Sequence, residues 1–186
     1  MNNENENNRN EEGPKKHYNG KVEFFHPKRT ANGSAARFEL RLNRAGEEGY
    51  NCFFLEMANQ KTARTRESNA TFNWEQKITV KLGFFDVCHF LTVLEGKCVS
   101  VGGKKEALYH QNGGTSTLIG FKVRPNNEGY FLGLSKKNGS AQARKVSMAL
   151  SEVEATGLRH VFQAALFYMS FAGSLLASQG RVTDGF

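Results

Sequence analysis

The chain has 186 residues, of which 39% are hydrophobic and 23% are charged, and these proportions suit one globular domain. They exclude a collagen, a coiled coil and a disulfide-stapled scaffold. Twenty-five Lys and Arg residues against 18 Asp and Glu give a net charge of +7, which favours a polyanionic partner.

The first half of the chain predicts four strands and a helix. Residues 1–18 are rich in Asn and Glu and predict a disordered tail, because such a segment has nothing to bury. From residue 21 onward apolar and polar residues alternate, which indicates strands with one buried and one solvated face. The predicted elements are strands at 21–28, 35–43, 50–58 and 71–81 and a helix at 84–95.

The second half repeats this arrangement. Strands are predicted at 105–111, 115–124, 129–136 and 142–149, followed by a helix at 152–172. Ser151 and Glu154 have the spacing of a capping box, which marks the start of that helix. The sequence therefore predicts an α+β fold of two ββββα units forming a single domain over 19–173, with a flexible tail at 174–186.

The last predicted helix is apolar on nearly all sides. Its most apolar run, 161–177, contains Gln163, Ser170 and Ser174, so we expect a buried helix rather than a membrane span. A helix that is apolar all round must be buried on every side. We therefore expect part of its surface to contact another subunit.

Motifs for catalysis or metal binding are not evident. No two of the three Cys and five His residues have zinc-motif spacing. The sequence holds no nucleophile elbow and no dinucleotide fingerprint. Residues 102–105 resemble a phosphate loop only faintly, and a basic turn is the better interpretation. We expect no metal, no cofactor and no enzymatic activity.

Basic residues concentrate on the predicted strands. Residues 115–150 hold six Lys and Arg against one Glu, and residues 21–44 hold six against two Glu. Neighbouring positions on one strand face lie about 6.6 Å apart, close to the phosphate spacing of a stretched single strand. Aromatic residues are interleaved with these charges, and unpaired bases can stack on such rings whereas paired bases cannot. Most of the Phe residues must nevertheless form the core.

Several blocks of the sequence resemble the Whirly single-stranded DNA-binding proteins of plants. They are Asn19-Gly20-Lys21-Val22, Phe72-Asn73-Trp74-Glu75-Gln76-Lys77, Lys122-Val123-Arg124-Pro125-Asn126, Gly129-Tyr130-Phe131 and Leu134-Ser135. The resemblance implies two roughly perpendicular four-stranded antiparallel sheets, each followed by a helix. It also implies a homotetramer assembled through the C-terminal helix, with single-stranded DNA held along the sheets and between protomers. Residues 59–70 and 96–112 do not match the family well.

The charge pattern and the resemblance together predict a non-catalytic protein that binds single-stranded DNA with little sequence preference. The predicted phosphate contacts are Lys21, Lys28, Arg37, Arg41, Lys77, Lys81, Lys122, Arg124, Lys136 and Lys137. The residues predicted to stack on bases or to line base pockets are Phe54, Trp74, Tyr130 and Phe131.

Three alternatives remain open from the sequence. The first is an RNA-binding or annealing factor, since the guide-RNA-binding proteins of trypanosome mitochondria share the Whirly fold. The second is a protein-interaction scaffold whose charge keeps it in solution, and the third is an enzyme on the same scaffold. The odd cysteine count and the Asn-rich N-terminus, which has no apolar signal, predict a cytoplasmic protein. Because no organelle targeting peptide is evident either, the Whirly resemblance implies a relative encoded by a bacterium, phage or plasmid rather than a plant organelle protein.

Overall fold

The computed structural model describes residues 20–43 and 51–179, with side chains up to residue 171. The tail predicted at residues 1–18 lies outside the described residues, as does the end of the chain from residue 180. The elements are β1 (Lys21–His26), β2 (Ser34–Arg41), β3 (Cys52–Thr62), β4 (Thr71–Phe72), β5 (Ile78–Leu82), α1 (Phe84–Leu94), β6 (Leu108–Asn112), β7 (Thr115–Val123), β8 (Tyr130–Asn138), β9 (Arg144–Leu150) and α2 (Glu152–Gln179).

Two antiparallel sheets, each followed by a helix, confirm the predicted α+β class. Sheet 1 contains β1–β5, and sheet 2 is the meander β6–β9. In sheet 1, β4 and β5 both pair with β3, β4 at Gln60 and Thr62 and β5 at Phe53–Met57. The two short strands therefore lie one after the other along the same edge of β3.

The prediction of one continuous strand at 71–81 is wrong. A short 3-10 helix at Trp74–Gln76 separates β4 from β5, and the register of β3 against β4 shifts between Gln60 and Thr62. Asn73 still donates its N–H to the carbonyl of Asn59 (2.8 Å) before the backbone turns. The break gives sheet 1 five strands instead of four and lifts Trp74 off the pleat of the sheet.

Buried side chains from both units meet in one hydrophobic cluster. Phe90 of α1 stacks on Phe121 of β7, with ring centroids 4.7 Å apart, and meets Phe38 of β2 edge to face. Phe162 of α2 packs edge to face against Phe38 and Phe53. Both helices therefore cover the inner faces of the sheets and leave the outer faces to solvent.

The helix starts are defined by side chains close to them in sequence. Ser151 and Glu154 form the predicted capping box: the Ser151 N–H and hydroxyl donate to Glu154 Oε2 at 2.8 Å. At α1, the Gly83 N–H donates to Asp86 Oδ2 at 2.8 Å. Helix α2 continues to Gln179, beyond its predicted end at residue 172.

Candidate nucleic-acid interface

The outer face of sheet 2 carries exposed rings and lysines. Burial alternates along each strand, so odd-numbered residues of β8 and β9 point outward, as do even-numbered residues of β7. Tyr109 of β6, Leu118 of β7 and Phe131 of β8 are 58%, 46% and 37% exposed. Apolar side chains of this size on a solvated sheet face are typical of a binding surface.

Two glycines form the floor of a shallow groove on this face. Gly120 of β7 lies opposite Gly133 of β8 in the register, so the sheet has no side chain there. A Cβ at Gly133 would lie 2.9 Å from the Phe131 ring, which shows that the ring leans over this glycine. The resulting cavity of about 340 Å³ is also lined by Leu118 and Lys145. We call it the glycine groove; its apolar wall and flat floor suit a planar ring.

The cations beside the glycine groove differ in their pairing. Lys122 Nζ donates to Glu106 Oε2 at 2.8 Å, so its charge is largely compensated. Lys137 and Lys145 are exposed, and neither forms an ion pair with a carboxylate of the described residues. These two lysines therefore remain available to an external anion.

Several cations on the outer face of sheet 1 are instead paired with glutamates of the same sheet. Lys21 lies 3.5 Å from Glu23, which accepts a 2.7 Å hydrogen bond from Arg37 Nε. The Glu56 carboxylate pairs with both Arg37 and Lys77: its Oε2 lies 3.5 Å from Arg37 Nη1, and its Oε1 lies 2.6 Å from Lys77 Nζ. We call this row the ionic ladder. Because each of its cations already has a carboxylate partner, a phosphate would have to compete with Glu23 or Glu56.

Arg124 shows the same internal compensation. Its guanidinium donates to the carbonyl of Glu128 at 2.9 Å and lies 3.4 Å from the carboxylate of that residue. The predicted phosphate contacts Lys28 and Arg41 are exposed, Lys28 in the turn after β1 and Arg41 at the end of β2.

Lys81 and Lys136 line a cleft between the two sheets. The cleft has a volume of about 520 Å³ and is also bounded by Thr79, His110 and Thr117. Lys136 points to the inner side of sheet 2, so it lies on the opposite face from Lys137. The Nε2 atom of His110 lies 3.0 Å from Asp86 Oδ1, which fixes this ring against the start of α1.

The four predicted base-stacking residues occupy different environments. Phe131 is exposed and Phe54 is half-buried on the outer face of sheet 1, between Glu39 and Lys81 in the register. Trp74 sits on the 3-10 helix, with the Arg37 guanidinium 4.5 Å from the centre of its ring.

The predicted base-stacking role of Tyr130 requires a correction, because the structure places this side chain in the core. It is 8% exposed and its ring stacks on Phe121, with centroids 5.3 Å apart and planes within 4°. Burial raises the pKa of its hydroxyl. The alternation Tyr130, Leu132, Leu134 against Phe131, Gly133, Ser135 in the sequence could have assigned it to the inner face.

Sequence reasoning missed part of this surface. The sequence pattern does not single out Tyr109 or Lys145, although both lie on basic, aromatic strands. Gly120 and Gly133 carried a usable signal, since glycine inside a strand often marks a close approach by another group. Their pairing across β7 and β8 depends on the register, which a pattern of single strands does not determine.

Other kinds of site find little support in the described part of the chain. No three His, Cys, Asp or Glu residues within residues 20–43 and 51–171 are arranged to hold a metal ion. Burial raises the pKa of the Cys52 and Cys88 thiols, which disfavours the thiolate form. Among the described helices, none has the length and apolarity needed to cross a membrane.

Comparison with known proteins identifies the fold. No family model matches the chain, and no curated protein matches its sequence. The structure of the plant transcriptional regulator PBF-2 matches with a TM-score of 0.64 and 13% identity, over 91% of each chain. WHY1 from Arabidopsis thaliana matches with a TM-score of 0.64 and 15% identity, over 91% of this chain and 98% of that one. WHY3 from the same plant matches with a TM-score of 0.61 and 13% identity, over 91% of this chain and 98% of that one.

These likenesses confirm the Whirly-like fold that the sequence blocks predicted. At 13–15% identity they concern the fold alone. The function of the chain therefore depends on the residues of its own surfaces.

Proposed function

We propose that this protein binds single-stranded nucleic acid, DNA in preference to RNA, without catalysing a reaction on it. The observation that carries the proposal is the glycine groove, where Phe131 and Leu118 flank a floor without side chains. A base that is already paired and stacked in a duplex cannot enter such a groove, whereas an unpaired base can. Lys137 and Lys145 then lie where they can neutralise the adjoining phosphates.

In this proposal the bound nucleic-acid strand follows sheet 2 and continues into the cleft between the sheets. Lys81 and Lys136 provide the next cations along this path, and Tyr109 adds a second exposed ring. Stacking and phosphate contacts do not read the edges of the bases, so little sequence preference is expected. The preference for DNA is supported by the resemblance to the Whirly proteins and by the shared fold of a plant transcriptional regulator.

The protein assembles as a homotetramer through α2 in this proposal. Phe167, Tyr168 and Phe171 form an exposed aromatic row on that helix, with Phe167 in ring contact with the other two. Rings of this size are seldom left in water by a monomer, and a second copy of the chain offers the same self-complementary surface.

Fluorescence anisotropy with labelled oligomers tests the proposal. A single strand should bind at least about tenfold more tightly than the matching duplex, because only unpaired bases gain the stacking contribution. Competition with an RNA of the same sequence decides the DNA preference. Equal and weak binding to single strand and duplex, lost near physiological salt, would mean that the basic charge is generic.

A salt series identifies the cations that contact the strand. Each contacted phosphate contributes about −0.7 to the slope of log K against log salt concentration, so the double variant Lys137→Gln/Lys145→Gln should lower the steepness by about 1.4. The matched control is Glu106→Gln/Lys122→Gln, which removes a neutral pair from the same sheet and should leave the slope nearly unchanged. An unchanged slope in the first variant would remove sheet 2 from the interface.

A further inference from the structure

A further cavity lies on sheet 1, away from the glycine groove and from the cleft between the sheets. It has a volume of about 450 Å³ and lies between the end of β1 and the hairpin that joins β3 to β4. Three aromatic rings line it, an arginine and an asparagine are among its other lining residues, and we call it the aromatic pocket. These five residues are Phe25, Phe72, Trp74, Arg64 and Asn69.

Phe25 joins the other two rings into one wall of the pocket. Phe25 lies 5.6 Å from Phe72 and 6.5 Å from Trp74 between ring centroids, the latter pair edge to face. Arg37 covers one face of the indole, since its guanidinium carbon is 4.5 Å from the ring centre. A further planar group can approach Trp74 from the pocket that the indole lines, and Phe25 is 48% exposed.

The walls are held in place by the buried side chain of Gln60. Its Oε1 accepts hydrogen bonds from the N–H groups of Lys28 (2.8 Å) and Gly33 (2.9 Å), and its Nε2 donates to the carbonyls of Lys28 and Thr62. This side chain ties the turn after β1 to the β3–β4 hairpin. No Cβ fits at Gly33, where it would lie 2.2 Å from the His26 carbonyl oxygen, so the close approach requires glycine.

The hairpin loop is ordered by its own hydroxyl groups. The hydroxyls of Thr62 and Thr71 bond to each other at 2.8 Å across the base of the loop. At the tip of the loop, Thr65 Oγ1 accepts hydrogen bonds from the N–H groups of Glu67 and Ser68. The pocket is consequently formed before any ligand arrives, which keeps the entropic cost of binding low.

The rim of the pocket is strongly basic and, in the described residues, uncompensated. Five exposed cations lie on the turn after β1, at the end of β3 and in the hairpin loop, against the single acid Glu67, and Arg64 among them lines the pocket itself: Lys28, Arg29, Lys61, Arg64 and Arg66. None of the five forms an ion pair with a described carboxylate. The neighbouring ionic ladder is the opposite case, because each of its cations has a carboxylate partner.

We propose that the aromatic pocket receives one unpaired nucleobase, whose flanking phosphates lie on the basic rim. A base is flat and uncharged and carries anionic groups on both sides, which matches a ring-lined cavity with cations around its mouth. Asn69 supplies an amide donor and acceptor within reach of the base edge. The inference rests on the proposed function, and it concerns the hairpin at residues 59–70, where the sequence departs from the Whirly pattern.

The single tryptophan of the chain makes this pocket directly observable. A base that stacks near Trp74 quenches indole emission, whereas binding at the glycine groove leaves it unchanged. The probe is a single-stranded oligo(dT) of roughly 12 nucleotides, a length within the site sizes of single-strand-binding domains. An abasic oligomer of equal length is the matched control, because it keeps the phosphates and removes the bases.

We expect quenching by oligo(dT) and none by the abasic oligomer. Phe72→Leu keeps an apolar wall but removes a ring, and should weaken binding about fivefold, the lower end of one stacking contact. Arg64→Gln, an exposed rim position, should lower the salt dependence by about 0.7. Lys97→Gln, exposed and paired with Glu95 beside α2, should change neither quantity.

The possible outcomes separate this inference from the proposed function. Anisotropy that reports tight binding while indole emission stays constant would overturn the base pocket and leave the proposed function standing. Equal quenching by the abasic oligomer would also overturn it, since charge alone would then explain the signal. Absence of single-strand binding in anisotropy would overturn both.

Discussion

Tyr130 and Phe131 are adjacent aromatic residues with opposite roles. The pleat of β8 turns Tyr130 into the core, where it stacks on Phe121, and turns Phe131 outward over Gly133. Two neighbours of similar chemistry thus provide an internal comparison between packing and binding.

Replacing each of these two rings by leucine should separate the two roles. Tyr130→Leu should lower the free energy of unfolding by about 1–3 kcal/mol, because a buried stacked ring is lost. Phe131→Leu should change stability by less than about 1 kcal/mol but weaken single-strand binding about fivefold or more. Urea denaturation and anisotropy measure the two quantities, and an affinity loss in folded Tyr130→Leu equal to that of Phe131→Leu would contradict the assignment.

At the scale of the element, the ionic ladder and the lysines of sheet 2 show how one charge pattern yields two surfaces. On β1, β2 and the segment before β5, Lys21, Arg37 and Lys77 each lie opposite or beside a glutamate, so the charge of the ionic ladder is largely balanced. On β8 and β9 the outward Lys137 and Lys145 lie opposite serines, and no glutamate of the described residues pairs with them. The number of cations in a strand therefore says less about phosphate binding than the residues paired across it.

The start of α2 depends on Glu154. Burial opposes ionisation of this carboxyl, but hydrogen bonds with His26 Nε2 (2.6 Å) and from Ser151 (2.8 Å) hold its pKa below the usual value of 4.5. Because the folded pKa is depressed, the ionised group stabilises the fold above the unfolded pKa. That contribution is lost as pH falls through the folded pKa.

Glu154→Gln should therefore be destabilising in a pH-dependent way. At neutral pH we expect a loss of about 1 kcal/mol, the usual contribution of a cap and a charge-assisted hydrogen bond. The difference from the parent chain should shrink below pH 4.5, the usual carboxyl value. Thermal unfolding from neutral pH to below pH 4.5 measures this stability difference, and Glu152→Gln on the same helical turn is the control. A difference that stays constant with pH would show that ionisation of Glu154 is not the cause.

At the scale of the whole molecule, exposed rings remain on α2 after the core has formed. Phe167 and Phe171 are 55% and 54% exposed, although the same helix buries Phe162 completely. Sedimentation should give a mass about four times the 20.8 kDa of the chain, as a homotetramer requires. Phe167→Ser/Phe171→Ser should give smaller species.

An exposed phenylalanine elsewhere is the control for this measurement. Phe85 on α1 is 79% exposed, so Phe85→Ser removes a comparable ring from another surface and should leave the mass unchanged. A parent chain that sediments as a monomer would contradict the proposed assembly.

The sequence by itself determined the order and type of nearly all elements, because alternation and capping are local properties. The strands of both units and the start of α2 follow directly from such patterns. Motif blocks were sufficient to predict the Whirly-like fold. The break at Trp74 was not predictable, since a period-two pattern continues through it while the backbone does not.

Tertiary structure alone decided which charged and aromatic residues form a surface. Glu23 and Glu56 neutralise Arg37 and Lys77 from other strands, and no local pattern contains those distances. The glycine groove depends on a register across β7 and β8, and the aromatic pocket on a side chain, Gln60, that joins two distant turns. The free energy of an ion pair or a stacked ring depends on separations through space, which the chain acquires only when it folds.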